Sequence, residues 1–561
     1  MSLPAFSTQG ELFSTTGLSG TFFAAADRYW LFAKKVYPVL VQLRSQLEVC
    51  YCAQNGRAAV EPVLLLGVSL LQYLEAVPDR QAVDLLHYHA GWNFALNHFA
   101  LNRQLGDELF HPTTLVNFRQ RLLDHDLSGV SFQGMLEALV AAGLVARQSR
   151  QRLDSTQMLG RVSRMNRLDC VRESLRLALE ELAQRLPPEQ RPAWWSGLWE
   201  RYGESQTDYR ASLETLARKL VEVGAAVHQL LEWLAGPAAG QLGQGPQARL
   251  LARVFAEQFE VGPGAGAPQP KAKQQLGTER VQNPHDPDAT YASKGHGEQS
   301  REHVGYKVQV AETVSQAVLA PGEPTRNFVA GLVTHSARES DEEGAEKMAT
   351  EQKALGMDKP PVQYVDAAYI SAEKLVEAAA EGRELIGPAP GAPNNNDGHF
   401  TTEAFQVSVE AHRAICPAAH PNTQCSRLAE QATGRISYRF EWDTATCAGC
   451  PLRSQCIQAA HRHRTLIVGA HHTALQARRR EQRTPAFRQR MKHRNAIEGT
   501  QSELVRAHGL RRARYRGLPK VRLQNYFIGA ACNVKRWLRR LAWEMEQSGL
   551  AIGLSRASIA S

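Results

Sequence analysis

Apolar residues recur at helical spacing over residues 29–143. Val63, Leu64, Leu66, Leu70, Leu71 and Leu74 share one face, and Ala82, Leu85 and Leu86 resume it after Pro78. His111-Pro112-Thr113-Thr114 predicts a further helix start, capped by Thr113 or Thr114, with Arg119 and Arg121 turned outward. Gln151-Arg-Leu-Asp154-Ser-Thr-Gln-Met-Leu159 breaks the rhythm and reads as a strand carrying an inward acid, although a turn or cap is the commoner setting of a single Asp. Two stripes then follow: Leu168, Val171, Leu175, Leu179, Leu182 and Leu186, and, after Pro187-Pro188, Leu213, Leu216, Leu220, Val223, Val227, Leu231 and Leu234. They predict long amphipathic helices packed as an inserted bundle, with Trp194, Trp195 and Trp199 as core or hinge aromatics. The Gly/Pro-rich run over 262–271 reads as a linker. Beyond it the alternation becomes strand-like. Strands are expected over 303–312, 328–334, 361–366 and 384–387, with a helix over 340–355 and another from Ser371. That order implies an α/β fold with a mixed sheet, and Asp366 falls at the carboxyl end of a strand, where such sheets place ligands.

Charge changes this picture near the other end of the chain. Of 561 residues with a net charge of +9, residues 478–540 hold 19 Lys and Arg against 3 acids, so the rest of the chain is net acidic. A local field that positive suggests a polyanion as partner, nucleic acid above all, against the alternative of a solvated basic face. Within it, residues 491–506 read as one helix on which Glu498 stands a turn after Arg494. A carboxylate inside a phosphate-binding surface repels the ligand unless a divalent cation lies between them, which directs attention to other acids. Five of the nine cysteines lie between Cys416 and Cys456. Cys447-x2-Cys450-x5-Cys456 suits tetrahedral zinc better than a disulfide framework, with metal-free thiols or an iron–sulfur site as alternatives. The longest apolar run, 63–71, is short of the ~20 residues of a membrane span. The start, Met-Ser-Leu-Pro-Ala-Phe, lacks the basic-then-apolar order of a signal peptide. The expectation is a soluble cytoplasmic protein, nucleoid-associated when bound to DNA.

Four motifs combine: Leu-Asp154-Ser-Thr-Gln, His285-Asp-Pro-Asp-Ala289 leading to Gly305-Tyr-Lys-Val308, Tyr364-Val-Asp366-Ala-Ala-Tyr369, and His493-Arg-Asn-Ala-Ile-Glu498. Together with the helices before His111-Pro-Thr-Thr-Leu, the chain resembles the DDE transposases of bacterial insertion sequences over most of its length. The resemblance implies an α/β, RNase H-like mixed sheet with a catalytic triad of Asp154, Asp366 and Glu498, an N-terminal all-α domain, the inserted bundle and a small Cys-rich insertion. It implies two Mg²⁺, with Mn²⁺ as an alternative, on the three acids, and cleavage of element ends followed by strand transfer into target DNA. Arg494 would orient Glu498 or touch the scissile strand, unless it is an ordinary i,i+4 ion pair. Lys294, Lys307, Arg511, Arg512, Arg514, Arg516 and Lys520 would meet DNA, and Arg119 and Arg121 are weighed equally between DNA contact and packing. In similar transposases Cys416 supplies the first zinc ligand, giving Cys416, Cys447, Cys450 and Cys456, with Cys425 as the spare or alternative. Related chains carry Tyr and Lys where Met491 and Val505 stand here, so those two roles do not carry over.

The implied partners are double-stranded DNA, both terminal repeats and target, and further copies of the chain in a dimer or larger assembly, with no membrane. The expected layout is a leader over 1–28, the helical domain over 29–149, and the catalytic core over 150–160 and 276–400. The bundle covers 161–261, the linker 262–275, the Cys-rich insertion 401–465, the Glu498 helix and basic region 466–545, and a tail 546–561. A domesticated DNA-binding protein without catalysis and an RNase H-like nuclease without strand transfer are the competing readings.

Overall fold

Alternate side chains of strand β1 (Gln151–Leu159) leave opposite faces of the central sheet, and different parts of the chain cover each face. In the computed structural model, which describes residues 23–52, 56, 58–97, 110–205, 211–262, 266–294, 301–391, 399–431, 434–458 and 461–549, Leu153 packs with Val333, Met348, Val365 and Tyr369 on one side. Met158 packs on the other with Tyr306, Val308 and Phe527. Downstream, β2 (Phe259–Glu260) and β3 (Gln269–Pro270) pair with each other. Strands β4 (Thr290–Lys294), β5 (Arg301–Thr313), β6 (Val329–Ser336), β7 (Val362–Tyr364) and β8 (Glu384–Ile386) join β1 in a six-stranded mixed sheet. β5 runs antiparallel to β1, with Asp154 opposite Val310. The outer edge of β5 is shared by β4 and β6, both antiparallel to it, while β7 and β8 follow on the far side of β1 as parallel strands.

The face bearing Met158 is covered by the helix Leu518–Gln547, whose Val521, Phe527, Ile528 and Val534 are buried. This helix also packs against the N-terminal helices. The ring of Tyr73, on the almost wholly buried helix Pro62–Leu74, stacks on Phe527 with centroids 5.5 Å apart. One hydrophobic core therefore runs from the N-terminal helices through the sheet to the C-terminal helix. The start of Leu518–Gln547 is fixed by the His285-Asp-Pro-Asp loop. Asp286 accepts from Gly517 N at 3.0 Å and Asp288 from Leu518 N at 2.8 Å, so two otherwise orphaned helix N–H groups are satisfied.

Helices Arg167–Arg185, Leu213–Ala235 and Pro246–Gln258 build a separate core from Val171, Leu175, Leu179, Val223, Val227, Leu251 and Val254. The expected second stripe extends one turn too far, because Leu213 is exposed. The expected linker is partly structured: Gln269–Pro270 form β3, and 263–265 lie outside the described residues. At the predicted helix start near His111, the helix is Thr113–Asp124, and neither threonine caps it. The His111 imidazole does so instead, accepting from Thr113 N at 3.3 Å. The Cys-rich segment forms a hairpin, β9 (Gln406–Ser408) and β10 (Arg413–Ile415), and an antiparallel sheet of β11 (Gln424–Ala429), β12 (Ile436–Glu441) and β13 (Thr465–Gly469) around Phe405, Phe440 and Trp442. Among the described residues no helix is long and apolar enough to cross a membrane.

Candidate active site

The expected single helix over 491–506 is two helices, Pro485–Asn495 and Ile497–His508, that meet at Ala496. The break puts Arg494 in the last turn of the first and Glu498 in the first turn of the second. Each charge thus suits the helix end it occupies. It also turns Arg494 toward the sheet. Its Nη2 lies 3.2 Å from Asp154 Oδ2 and 3.8 Å from Asp366 Oδ2, and its Nη1 lies 3.9 Å from Glu498 Oε1. Three carboxylates far apart in sequence therefore surround one guanidinium.

The two aspartates are presented alike. Asp154 Oδ1 accepts from Ser155 N at 2.8 Å, and Asp366, capping the short turn after β7, accepts through Oδ1 from Ala368 N at 2.9 Å. In both, the other oxygen faces Arg494. Asp154 is nearly buried and Asp366 partly so, whereas the Glu498 side chain is 72% exposed. Burial pushes the Asp154 carboxyl above the usual range; the Ser155 N–H and Arg494 pull it back down, and Asp366 and Asp341 add to the rise. An anionic Asp154 is therefore under-compensated by protein groups alone. Carboxylate oxygens are the hard donors Mg²⁺ takes, but with Arg494 between them the ligand atoms of Asp154, Asp366 and Glu498 do not all lie within 4.8 Å of one another.

Arg494 is held from behind. Arg152, two residues before Asp154 on the same face of β1, donates through Nη1 to His493 O at 3.0 Å, and the His493 ring packs on Tyr364 of β7 at 5.4 Å. Met491 packs with Val362, Tyr364 and Phe487, and Val505 lies against the main core, so both positions that depart from related chains are apolar packing sites. Arg152 also bonds Glu312, which is fully buried and receives Arg536 and Thr500 at 2.6 Å each. This network, which joins β1, β5 and both C-terminal helices, was not foreseen from sequence.

A groove of about 750 Å³ begins at Ser155, beside Asp154, and is lined in part by Gln157, Lys307, Arg338, Gln501 and Arg511. Lys307 donates to Glu339 O at 2.6 Å and stands 3.4 Å from Asp341, so part of its charge is already met inside the protein. Arg511, Arg512, Arg516 and Lys520 are exposed. Three other expected DNA contacts point elsewhere. Arg119 is buried, paired with Asp79 at 2.5 Å and set over the Tyr515 ring. Arg121 lies over Tyr51 at 4.9 Å. Arg514 turns onto the Tyr73 ring at 4.7 Å and donates to Val77 O at 3.1 Å, which makes it a tie to the N-terminal helices. The Lys294 side chain lies outside the described residues.

In the Cys-rich segment burial raises the Cys456 thiol, Arg464 opposes the rise, and Cys447, Cys416 and Cys450 add to it as neighbouring charges. Burial alone raises Cys425, which sits on β11 opposite Phe440. Cys416, Cys447 and Cys450 thus lie near enough to act on Cys456, but no three of these thiols lie within 4.8 Å of one another. Among the described residues, the set of metal-ligand atoms lying within 4.8 Å of one another is a different one, Glu503, His508 and Cys532. There Glu503 already holds Lys535 at 3.1 Å and Arg536 at 2.9 Å, and two adjacent cations disfavour a third.

Residues 415–538 match a family model described as a transposase DDE domain, and residues 25–121 match one described as a transposase domain, DUF772. No curated protein matches the chain. The first match takes in Arg494, Glu498 and most of the closing helix, the second the helices packed against that helix, and the two matches support an insertion-sequence DDE transposase.

Proposed function

We propose that the chain cuts DNA at the ends of an insertion sequence and joins the freed ends to target DNA, through a divalent-metal site on Asp154, Asp366 and Glu498. The observation that carries this reading is the single guanidinium of Arg494 within 3.9 Å of all three carboxylates. The sheet supports an RNase H-like fold: long antiparallel β5 beside β1, then parallel β7 and β8, with Asp154 on β1 and Asp366 two residues past the end of the adjacent β7. In the first step a water oxygen adds to the scissile phosphorus and the 3′ oxygen leaves with a proton, giving a 3′-hydroxyl and a 5′-phosphate. In the second, that hydroxyl attacks a target phosphodiester and displaces another 3′ oxygen. A pair of Mg²⁺ ions supplies charge stabilisation to the attacking and leaving oxygens of such in-line displacements. Asp154 Oδ2, Asp366 Oδ2 and the Glu498 carboxylate would hold them. Arg494 offsets the mutual repulsion of the three acids, and its planar fork can exchange a carboxylate for a phosphate. Arg511, Arg512, Arg516 and Lys520 would hold the duplex by sequence-blind phosphate contact. A dimer or larger assembly on DNA belongs to the same reading.

The test uses purified protein and labelled duplexes that carry the element ends. Nicked and joined products should form with Mg²⁺ and disappear when it is omitted. Nicking without joining would favour a nuclease, and neither product would reject the enzymatic reading.

We also infer a structural zinc on Cys416, Cys447, Cys450 and Cys456, supported by the Cys447-x2-Cys450-x5-Cys456 spacing, with the thiols closing around the ion when it binds. Elemental analysis should find about one zinc per chain, lost in Cys447→Ser/Cys450→Ser with a lower melting temperature. A zinc-free, stable wild-type protein would remove the site.

A further inference from the structure

A cavity of about 610 Å³ opens between the β9–β10 hairpin and the helix His472–Glu481. None of the three acids lines it, and none of the DNA contacts named above does. Its wall carries Arg413, Arg479, Arg480 and Arg483 against one carboxylate, Glu403. Glu403 is shared by two of them, Arg483 at 3.2 Å and Arg479 at 3.5 Å. Arg413 and Arg480 are exposed, and among the described residues neither has a carboxylate within ion-pair distance. Arg479 is 7% exposed; its Nη2 donates to Pro390 O at 3.0 Å, but its Nη1 is buried with no hydrogen-bond partner. Leaving a charged donor buried and unsatisfied is costly, and an anion in the adjoining cavity would offset that cost. The neighbouring His472 reports the same excess of positive charge. Burial first and Arg479 second lower its pKa to about 4.

Four guanidinium groups contributed from both sides of the cavity, Arg413 from the hairpin and Arg479, Arg480 and Arg483 from the helix and its end, suit successive phosphates better than one small anion, which needs its donors aimed at a point. The position fits a long polyanion as well. Helix Pro485–Asn495, the next element after His472–Glu481, leads from the cavity to Arg494, and its 11 residues span ~16 Å. That is the rise of ~5 base pairs, about half a turn of duplex. We propose that this cavity clamps the sugar–phosphate backbone of duplex DNA about half a turn from the bond that is cut. The clamp rests on the transposase reading and adds to it a second, non-catalytic grip, contributed by the Cys-rich segment and the helix before Arg494.

The test is fluorescence anisotropy of full-length protein with a labelled duplex, over a salt series and without added divalent metal, so that no cleavage enters the readout. Arg413→Ala/Arg480→Ala should bind about tenfold more weakly or worse, and the slope of log affinity against log salt should fall by roughly two. Both side chains are exposed, so the melting temperature should match wild type and a loss of binding cannot be laid to unfolding. Inorganic phosphate at constant ionic strength should not displace the duplex. Unchanged affinity and slope in the double variant would overturn the clamp. So would phosphate that displaces duplex from wild type but not from the variant, since the cavity would then hold a small anion. A wild-type protein that binds no duplex at any salt would instead sink the transposase reading, and the clamp with it.

Discussion

Asp154→Asn should lose DNA nicking by ~10³-fold or more while the protein melts no lower than wild type. The loss follows from removing one of the three carboxylates that would hold the metal, since metal-borne charge stabilisation at a phosphodiester is worth several kcal/mol and each 1.36 kcal/mol is a factor of ten. The retained stability follows from the direction of the Asp154 shift. A carboxyl whose pKa is raised on folding is favoured in its protonated form. Its contribution is therefore present below the unfolded pKa and lost as pH rises through the folded one. At neutral pH the ionised group is a net cost to the fold, caused by burial first and not fully offset by the Ser155 N–H and Arg494. Asparagine removes the buried charge and keeps an oxygen for the Ser155 N–H, 2.8 Å away. The checks are a nicking assay with Mg²⁺ and a thermal melt of the metal-free protein. Full activity would remove Asp154 from the site, and a melting temperature several degrees lower would make it a structural residue. Glu498→Gln should behave alike, because a side chain 72% exposed in the first turn of its helix contributes little to stability.

The sequence marks the three acids in two ways, each weak until the resemblance to DDE transposases joins them. Asp154 lies in a strand-compatible run and Asp366 at the end of a short apolar strand, whereas Glu498 is isolated among bases. Both signals are local, and both are visible without knowing what the residues touch. The failures are non-local. Arg119 and Arg514 read as surface cations because their partners, Asp79 and Tyr73, lie elsewhere in the chain, and no periodicity reports a fold that brings them together. The break at Ala496 was hidden for a related reason. Ala496 is a good helix former with no Pro or Gly beside it before Gly499, so the turn comes from packing of His493 and Met491 on the sheet end rather than from local preference. The Arg152–Glu312 pair did leave a trace. Glu312 is a charge at the end of an apolar strand run, after Val308, Val310 and Ala311, and such a charge calls for a cross-strand partner of opposite sign, which Arg152 on β1 supplies.

That pair supports the other large effect expected. Glu312→Gln should destabilise the protein by about 3–5 kcal/mol, because it removes the only carboxylate among the described residues that pairs with Arg152, leaving that charge uncompensated in the interior, and leaves Arg536 with Glu503 alone. Glutamine keeps the shape and still accepts from Thr500, so a loss of packing cannot account for the change. Denaturant unfolding should show a lower midpoint, whereas Glu381→Gln, at the partly exposed pair with Lys359, should change stability by no more than ~1 kcal/mol. An unchanged midpoint for Glu312→Gln would mean that water or a rearranged Glu503 takes up both cations, and the network would not be what fixes the helix Ile497–His508. The effect reaches the site through position alone. Glu312 touches none of the three acids, yet it holds Arg152 against His493 O and Thr500 two residues from Glu498. Folded Glu312→Gln protein, selected at low temperature, should therefore nick more slowly than wild type while its duplex affinity in metal-free buffer stays the same, the opposite pairing of stability and activity to that of Asp154→Asn.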